Sequence, residues 1–444
     1  MSVHDTGKTI ENPQNLSGIR SALRYTGIPT SWLDKRPKLP SQNWLIFLSV
    51  VSSVTGLYIY DRRQCKQIRQ SYIDRVQSLS EEAAGPLAQP RKVTVYGAKW
   101  PGDEDYDQCM KYFRKYVKPI LVAAAVDYES IVGKKHGDIA NRVANDIRLR
   151  RRMDHGIDTD SDYTKALPTY KTLPERRKRE LEGGIVIVGR PTFKEVMAGF
   201  KRGWTQGLED VDHEEMLAQE LESDPHFDEP EDGETLDEPV ANRNPIYSPL
   251  RVPSFTDPSQ NSQHHSIPEI LNAPPTEIPL MPPILFVPFI DHIGLKQIPL
   301  MLWNFFNQRQ YVKAGADAAY RLIMNASKPF DAQHDLQLGE DAEAYYKKSS
   351  LVDDINNARR KYYEELPAKL QIARALARGT REPTKEEREN PPPTEVELRA
   401  ERMNKERRWR SDLTGWSIVN PSSSPVWDDR LGDALRLFAD HIDT

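Results

Sequence analysis

An uncharged apolar run at residues 44–60 is the feature that most constrains this chain of 444 residues. It reads WLIFLSVVSSVTGLYIY. As a helix, the run would be about 25 Å long, which is at the short end for a bilayer core. Aromatic residues mark both ends, as is typical of membrane interfaces. The run therefore predicts a single transmembrane helix. Cations flank it on both sides, namely Lys35, Arg36, Lys38, Arg62, Arg63, Lys66 and Arg69.

Two other interpretations of this run are less consistent with its surroundings. A buried core helix would rarely carry so many cations at both ends. A cleaved signal peptide is disfavoured because a polar leader of about 40 residues precedes the run. Asp5, Glu11 and Asp34 in that leader also disfavour a cleaved mitochondrial presequence, which avoids acidic residues. The basic flanks could instead act as an internal targeting signal, but they do not decide the orientation.

Individual residues of the run have two predicted roles. The membrane-anchor residues are Trp44, Leu45, Phe47, Tyr58 and Tyr60. Small residues recur four apart, as Ser49 with Ser53 and as Ser52 with Gly56. This spacing lets two helices approach closely in lipid, although it also occurs by chance in membrane spans. We expect either a simple tether or a helix that packs against another membrane protein.

The segments after the anchor predict an α/β fold with a mostly parallel sheet. Strands are predicted at residues 92–96, 120–126, 185–188 and 284–290, where β-branched and apolar residues cluster. Helical periodicity follows each of the first three strands, which favours right-handed crossovers. Pro288 indicates an edge position or a bulge for the fourth strand.

The remaining segments differ sharply in composition. Residues 209–238 hold 15 acidic residues and no Lys or Arg, which indicates a disordered acidic spacer or a surface that recruits a basic partner. Residues 295–306 are apolar but too short and interrupted to span a membrane, and we interpret them as core in preference to an interfacial helix. A helical pair is expected around 340–378, split at Pro367. Residues 431–442 are predicted to form an amphipathic segment.

These patterns divide the chain into seven parts. They are an N-terminal segment at 1–43, the transmembrane helix at 44–60, a basic juxtamembrane helix at 61–90, the first part of the α/β domain at 91–208, an acidic and Pro-rich linker at 209–282, a strand and helices of the same domain at 283–380, and a charged C-terminal extension at 381–444.

The sequence predicts no catalytic, cofactor or metal site. It lacks both glycine-rich phosphate-binding motifs and the GxSxG elbow. Cys65 and Cys109 are too few for a disulfide framework or a zinc ribbon, and the His264–His265 pair is at most a weak metal site. The net charge of −5 argues against a nucleic-acid partner.

Several long segments resemble a known family. They include LPSQNWLIFLSV, PRKVTVYGAKWPGD, YVKPILVAAAVDYESIVGKKHGDI, PPILFVPFIDHIG and GWSIVNPSSSPVWDDR. In this order they are similar to the fungal fifty-four-kilodalton subunit of the mitochondrial inner-membrane carrier translocase. The resemblance implies a single-pass inner-membrane protein with its N-terminus in the matrix and its large domain in the intermembrane space. It also implies a non-catalytic scaffold role in the membrane-potential-driven import of multi-pass proteins.

The same resemblance implies the partners. These are the channel-forming subunit of the translocase, the small hexameric intermembrane-space chaperones, carrier-type precursors and inner-membrane lipid.

A second, shorter resemblance concerns the fold. The strand and helix order over about 110 residues is similar to the N-terminal lobe of diacylglycerol and sphingosine kinases. Gly189, Arg190, Pro191 and Thr192 stand where that family has its GGDGT loop, and the acid of that loop is replaced by Arg190. The helix that follows is similar to that family's xxEVxxG pattern, which Glu195, Val196 and Gly199 match. The alternative function is therefore a membrane-anchored lipid-binding or lipid-kinase-like enzyme. The altered loop favours the scaffold, so we expect no kinase activity.

Overall fold

The computed structural model describes residues 41–81, 90–160, 162–167, 170–209, 212–228, 267–346 and 350–439. The chain forms two units, Met1–Tyr60 and Asp61–Thr444. The N-terminal segment at 1–40 and the centre of the acidic linker at 229–266, including the His264–His265 pair, lie outside the described residues.

The helices and strands are numbered in chain order. They are α1 (Gln42–Ser80), β1 (Lys92–Gly97), α2 (Gln108–Tyr116), α3 (Lys118–Ala123), β2 (Asp127–Val132), α4 (Asp138–Asp154), α5 (Asp162–Lys165), α6 (Leu173–Gly183), β3 (Ile185–Val188), α7 (Arg190–Thr205), α8 (His213–Glu222), α9 (Glu269–Asn272), β4 (Ile284–Val287), α10 (Ile298–Phe306), α11 (Gln308–Met324), β5 (Ser327–Pro329), α12 (Leu351–Ala377), α13 (Lys385–Glu389), α14 (Glu395–Val419) and β6 (Arg436–Phe438). Short 3-10 turns include Leu295–Gln297, Asp335–Gln337 and Glu340–Tyr345.

The first unit contributes the start of α1. Among the described residues, α1 is the one helix that is long and apolar enough to cross a membrane. The apolar residues of its first half are exposed to solvent, with Trp44 57% and Phe47 56% exposed. Length and composition thus agree with the predicted anchor at 44–60.

The second unit is built on one mixed sheet. In the described part of the chain, six strands lie in the order β2, β1, β3, β4, β6, β5, and only β5 runs antiparallel to its neighbour. The α/β class and the mostly parallel sheet are therefore as predicted.

Helices cover both faces of this sheet, and β3 shows why. Val186 and Val188 belong to a core with α2, α3 and α11, whereas Ile185 and Ile187 belong to a second core with α4 and α7. Successive strand residues point to opposite faces, so a strand buried on both sides is apolar throughout.

The predicted strand at 120–126 is wrong. Residues Lys118–Ala123 form a short helix that buries Ile120 and Leu121, and the strand is the next segment, Asp127–Val132. Pro119 lies in the first turn of that helix, where proline is tolerated. Among the described strands, β2 pairs with β1 alone and lies at the sheet edge, so it does not need a continuous apolar sequence.

Two predictions based on proline also fail. Strand β4 is interior, between β3 and β6, and it ends at Val287, so Pro288 lies just beyond the strand and marks neither an edge position nor a bulge.

The predicted split of the helical pair at Pro367 is also absent, because helix α12 continues through that residue. Its buried face, which includes Leu366 and Leu370, packs in a cluster with Leu398 of α14, and this packing offsets the lost backbone hydrogen bond.

Three further segments differ from or extend the sequence patterns. Helices α8 and α9 lie within the predicted linker at 209–282. The interpretation of 295–306 as core is wrong, because α10 has no buried residue. The C-terminal segment contributes β6 to the sheet, between β4 and β5.

Candidate functional site

In open parallel sheets, ligands bind beyond the carboxyl ends of the strands, where the strand order reverses. Here that point lies between β1 and β3, because β1 is first in the chain and has a later strand on each side. The two segments that form this edge are the loop after β1 and the turn from β3 into α7. The second of these is the position of the altered kinase-like loop.

Thr192 closes the gap between these two segments. Its hydroxyl donates to the carbonyl oxygen of Val188 at 2.6 Å and accepts the backbone N–H of Ala98 at 2.9 Å. Gly189 precedes α7 with a φ of 82°, a backbone conformation that favours glycine. The turn is thus fastened directly to the end of β1.

The cations of α7 that could attract a phosphate are already engaged. Arg190 Nε lies 2.7 Å from Oε1 of Glu343, and Lys194 Nζ lies 2.8 Å from the same oxygen. The side chains of Arg190 and Lys194 are 4% and 0% exposed. Burial lowers the pKa of Lys194, and the Glu343 carboxylate opposes that shift. Glu343 therefore takes the position that an anionic ligand would need.

Backbone carbonyls complete this cluster. Arg190 Nη1 donates to Leu336 and Leu338 at 2.6 and 3.0 Å, and Lys194 Nζ donates to Asn420 at 2.9 Å. These contacts connect α7 to the 3-10 turns at 335–345 and to the residue that follows α14. The cluster is consequently a junction between three distant parts of the chain.

Aromatic rings fill the space beside the cluster. Trp100 follows β1, is 1% exposed, and makes edge contacts with Phe289 and Tyr346 at centroid distances of 5.3 and 5.0 Å. Together with the Glu343 cluster, Trp100 leaves the carboxyl edge of β1 and β3 occupied by the chain's own side chains.

Glu195, which matches the kinase-like helix pattern, has a local structural partner. Its Oε2 accepts the backbone N–H of Ile139 at 3.0 Å, at the N-terminus of α4. The carboxyl is fully buried, and burial raises its pKa to about 7, although hydrogen bonds from backbone N–H groups oppose this shift. A carboxylate at this end of a helix satisfies donors that lack an intrahelical acceptor.

The glycines of the same helix let α4 and α7 approach closely. A Cβ at Gly199 would lie 2.8 Å from the carbonyl oxygen of Ala140, and one at Gly203 would lie 2.7 Å from Cβ of Ile147. Glu195, Gly199 and Gly203 therefore hold two helices together on one face of the sheet.

A second group of interest lies at the start of the second unit. Asp61 directly follows the apolar run and is 2% exposed. Its two carboxylate oxygens accept the backbone N–H groups of Gln308 and Arg309, each at 3.2 Å. The carboxylate thus caps the N-terminus of α11, where negative charge is favourable. This contact joins residues that are 247 positions apart in the sequence.

The predicted anchor and packing residues all lie in the first half of α1. Trp44, Leu45, Phe47, Tyr58 and Tyr60 are exposed, and so are Ser49, Ser52, Ser53 and Gly56. A Cβ at Gly56 would meet no atom within 4 Å. Both sets are placed on one helix, and their roles in membrane anchoring and helix packing stay predictions.

The sequence patterns missed Asp61, Glu343 and Trp100. One feature of the sequence could have drawn attention to Asp61, because it is an acidic residue directly after the apolar run. No such feature marks Glu343, because the role of a carboxylate 153 residues from Arg190 depends entirely on the fold.

One candidate membrane span and a mostly parallel sheet describe an α/β protein with one candidate membrane anchor. The family described as "Inner membrane protein import complex subunit Tim54" matches residues 20–378. The chain belongs to this Tim54 family, which confirms the longer of the two sequence resemblances.

Relatives named mitochondrial import inner membrane translocase subunit TIM54 match much of the chain. The protein from Cryptococcus neoformans var. neoformans serotype D is 37% identical over 441 residues, which cover 96% of this chain and 95% of the relative. The protein from Candida albicans is 30% identical, with 74% and 88% covered. The protein from Saccharomyces cerevisiae is 24% identical, with 76% and 90% covered.

Proposed function

We propose that this chain is a non-catalytic scaffold subunit of the mitochondrial inner-membrane carrier translocase, where it supports the membrane-potential-driven import and insertion of multi-pass proteins. Membership in the Tim54 family and the names of the fungal relatives support a place in an inner-membrane import complex. The observation that carries the non-catalytic part is the engagement of Arg190 and Lys194 by Glu343. The edge where α/β enzymes bind ligands is used here for internal packing.

The proposed arrangement has residues 44–60 in the inner membrane, the N-terminus in the matrix and residues 61–444 in the intermembrane space. The span is supported by the length and apolar character of α1. The proposed partners are the channel-forming subunit, the small hexameric chaperones of the intermembrane space, carrier-type precursors and inner-membrane lipid. A body in the intermembrane space would be on the side from which such precursors arrive.

The function is tested by controlled depletion of the full chain. Mitochondria from cells with a repressible copy would receive a radiolabelled carrier-type precursor or a presequence-bearing matrix protein. We expect depletion to reduce carrier insertion while matrix import continues. Import without a membrane potential gives the background for both substrates. Equal loss of both substrates, or normal carrier insertion after depletion, would contradict the proposal.

The topology has a separate test. A tag after Thr444 should be digested when protease is added to mitochondria whose outer membrane has been opened, and a tag before Met1 should be protected until detergent is added. The reverse pattern would overturn the orientation and leave the import role to be judged by the depletion experiment.

The alternative function is a lipid-binding or lipid-kinase-like enzyme. The strand order and the positions of Glu195 and Gly199 support a likeness to the N-terminal lobe of lipid kinases, but both residues have structural contacts here. The full chain in lipid vesicles would be incubated with labelled ATP, magnesium and diacylglycerol or monoacylglycerol. Lipid phosphorylation above that of vesicles without protein would favour the enzyme; we expect none.

A further inference from the structure

Helix α10 presents an apolar surface that the described residues of the second unit do not cover. Its sequence is IPLMLWNFF, with no charged residue, and none of its residues is buried. Trp303 is 64% exposed, Leu302 59% and Met301 47%, and Leu295 in the preceding turn is 85% exposed. Successive residues of a helix point in different directions, so apolar side chains face outward around much of its circumference. An element of this kind in water would be a strong site for association.

The position of α10 in the fold indicates what covers it. Only Asn307 separates α10 from α11, whose first N–H groups are held by Asp61. Asp61 is the residue that follows the apolar run at 44–60. The C-terminal end of α10 is therefore fixed beside the residue at which the chain leaves the predicted membrane span.

Arg62 strengthens this connection. Its guanidinium group donates to the side chain of Gln308 and lies 5.7 Å from the ring centroid of Phe305 in α10. Such a contact between a cation and an aromatic face is favourable. Thus two consecutive residues after the span, Asp61 and Arg62, contact the segment that joins α10 to α11.

The charges around α10 suit a lipid surface. Arg62 and Lys115 both contact Gln308, which lies just beyond the C-terminal end of α10. Lys296 lies in the turn before α10. Cations beside an apolar helix attract anionic lipid headgroups, while aromatic residues such as Trp303 favour the interface. At nine residues, α10 is about 14 Å long and cannot cross a bilayer.

We propose that α10, together with Leu295, lies in the interface of the same membrane that residues 44–60 cross, and forms a second contact of the chain with lipid. The link of α10 to Asp61 and Arg62 at the end of the span, together with the cations beside it, favours lipid over a protein partner as what covers it. The proposal rests on the membrane span and not on the scaffold role. This second contact would hold the second unit against the bilayer, so the unit would not be attached by the span alone.

The test measures the depth of single sites in the full chain. Leu302→Cys would carry an environment-sensitive fluorophore in vesicles of phosphatidylcholine and cardiolipin, with nitroxide-labelled lipids as quenchers. The native Cys65 and Cys109 are buried, so wild-type protein treated in the same way gives the labelling background. Val51→Cys reports the span, and Val396→Cys, which is 53% exposed on α14, is the matched control on the second unit.

We expect about twofold quenching at position 302, because an interfacial helix buries its apolar side chains about 5–10 Å into the headgroup boundary. Position 396 should be unaffected and position 51 strongly quenched. If the label at position 302 were quenched no more than the label at position 396, the proposal would be overturned. A label at 302 that ignores the lipid quenchers but is shielded in the isolated native complex would also overturn it, in favour of a protein partner. Failure of quenching at 51 would refute the span and, with it, this inference.

Discussion

The carboxylate of Glu195 on α7 caps a different helix, α4, by accepting the backbone N–H of Ile139 at 3.0 Å. Its other oxygen, Oε1, is buried without a hydrogen-bond partner among the described residues. This combination explains why burial is the main cause of the raised pKa, to about 7, and why the backbone donors only partly oppose it. A residue that matches a kinase-like sequence pattern is thus part of the helix packing.

The Glu195 contact predicts a specific dependence of stability on pH. In the folded chain the carboxyl holds its proton up to about pH 7, whereas in the unfolded chain it ionises near its ordinary value of 4.5. The unfolded state therefore binds fewer protons between these values, and stability falls as the pH rises from 4.5 to 7. The slope is at most about 1.4 kcal/mol per pH unit.

The measurement compares thermal unfolding of the full chain in detergent with that of the Glu195→Gln variant. Because the variant cannot ionise at this position, its stability relative to wild type should rise between pH 4.5 and 7 and then level off. Glu215→Gln, at an exposed position on α8, should show no such trend. A constant difference between wild type and the Glu195 variant would contradict the assigned ionisation.

The close approach of α4 and α7 predicts a second effect. Alanine is normally about 1 kcal/mol better than glycine inside a helix. At Gly203, however, the new Cβ would lie 2.7 Å from Cβ of Ile147, and such overpacking costs about 1–3 kcal/mol. We expect Gly203→Ala to lower the unfolding midpoint of the full chain. Gly432→Ala is the comparison, because there the nearest atom outside the glycine and its chain neighbours is 3.3 Å away, and we expect it to cost less stability than Gly203→Ala.

The central strands could be predicted from sequence because their environment is uniform. β1 and β3 are covered on both faces, so β-branched residues accumulate there regardless of the distant partner. β2 was misplaced because an edge strand tolerates polar residues, while the nearby apolar segment belonged to a helix. β5 and β6 have three residues each, which is too short to show a period.

The candidate sites depended more on tertiary contacts. The anchor was predictable because lipid constrains length and polarity within one continuous segment. The function of Asp61 as a cap for α11 and of Glu343 as the partner of Arg190 required residues far apart to meet. For α10, the sequence indicated an apolar segment, but its interpretation as core was wrong, and only the fold showed an exposed helix.

The shared carboxylate of Glu343 predicts a large loss of stability on neutralisation. Glu343→Gln would leave the buried cations of Arg190 and Lys194 without a compensating charge, and breaking a buried pair in this way costs about 3–5 kcal/mol. Chemical unfolding of the full chain in detergent would measure this loss. Glu340→Gln is the control, since Glu340 belongs to the same 3-10 turn but is exposed, and it should change stability little. Equal effects of the two substitutions would mean that the cluster is not held by charge.

The small residues of the anchor give a final prediction, which concerns assembly instead of stability. If Ser52 and Gly56 face a helix of another membrane protein, replacing both with Leu should keep the span apolar but prevent close approach. We expect the complex extracted in mild detergent to become smaller on native gels, while the chain itself still resists extraction at alkaline pH. Val50→Leu with Val54→Leu has the same spacing on the opposite side of the helix, because residues two apart differ by about 200°. That control should leave the complex intact. A complex of unchanged size in the Ser52 and Gly56 variant would show that this face of α1 serves only as a tether.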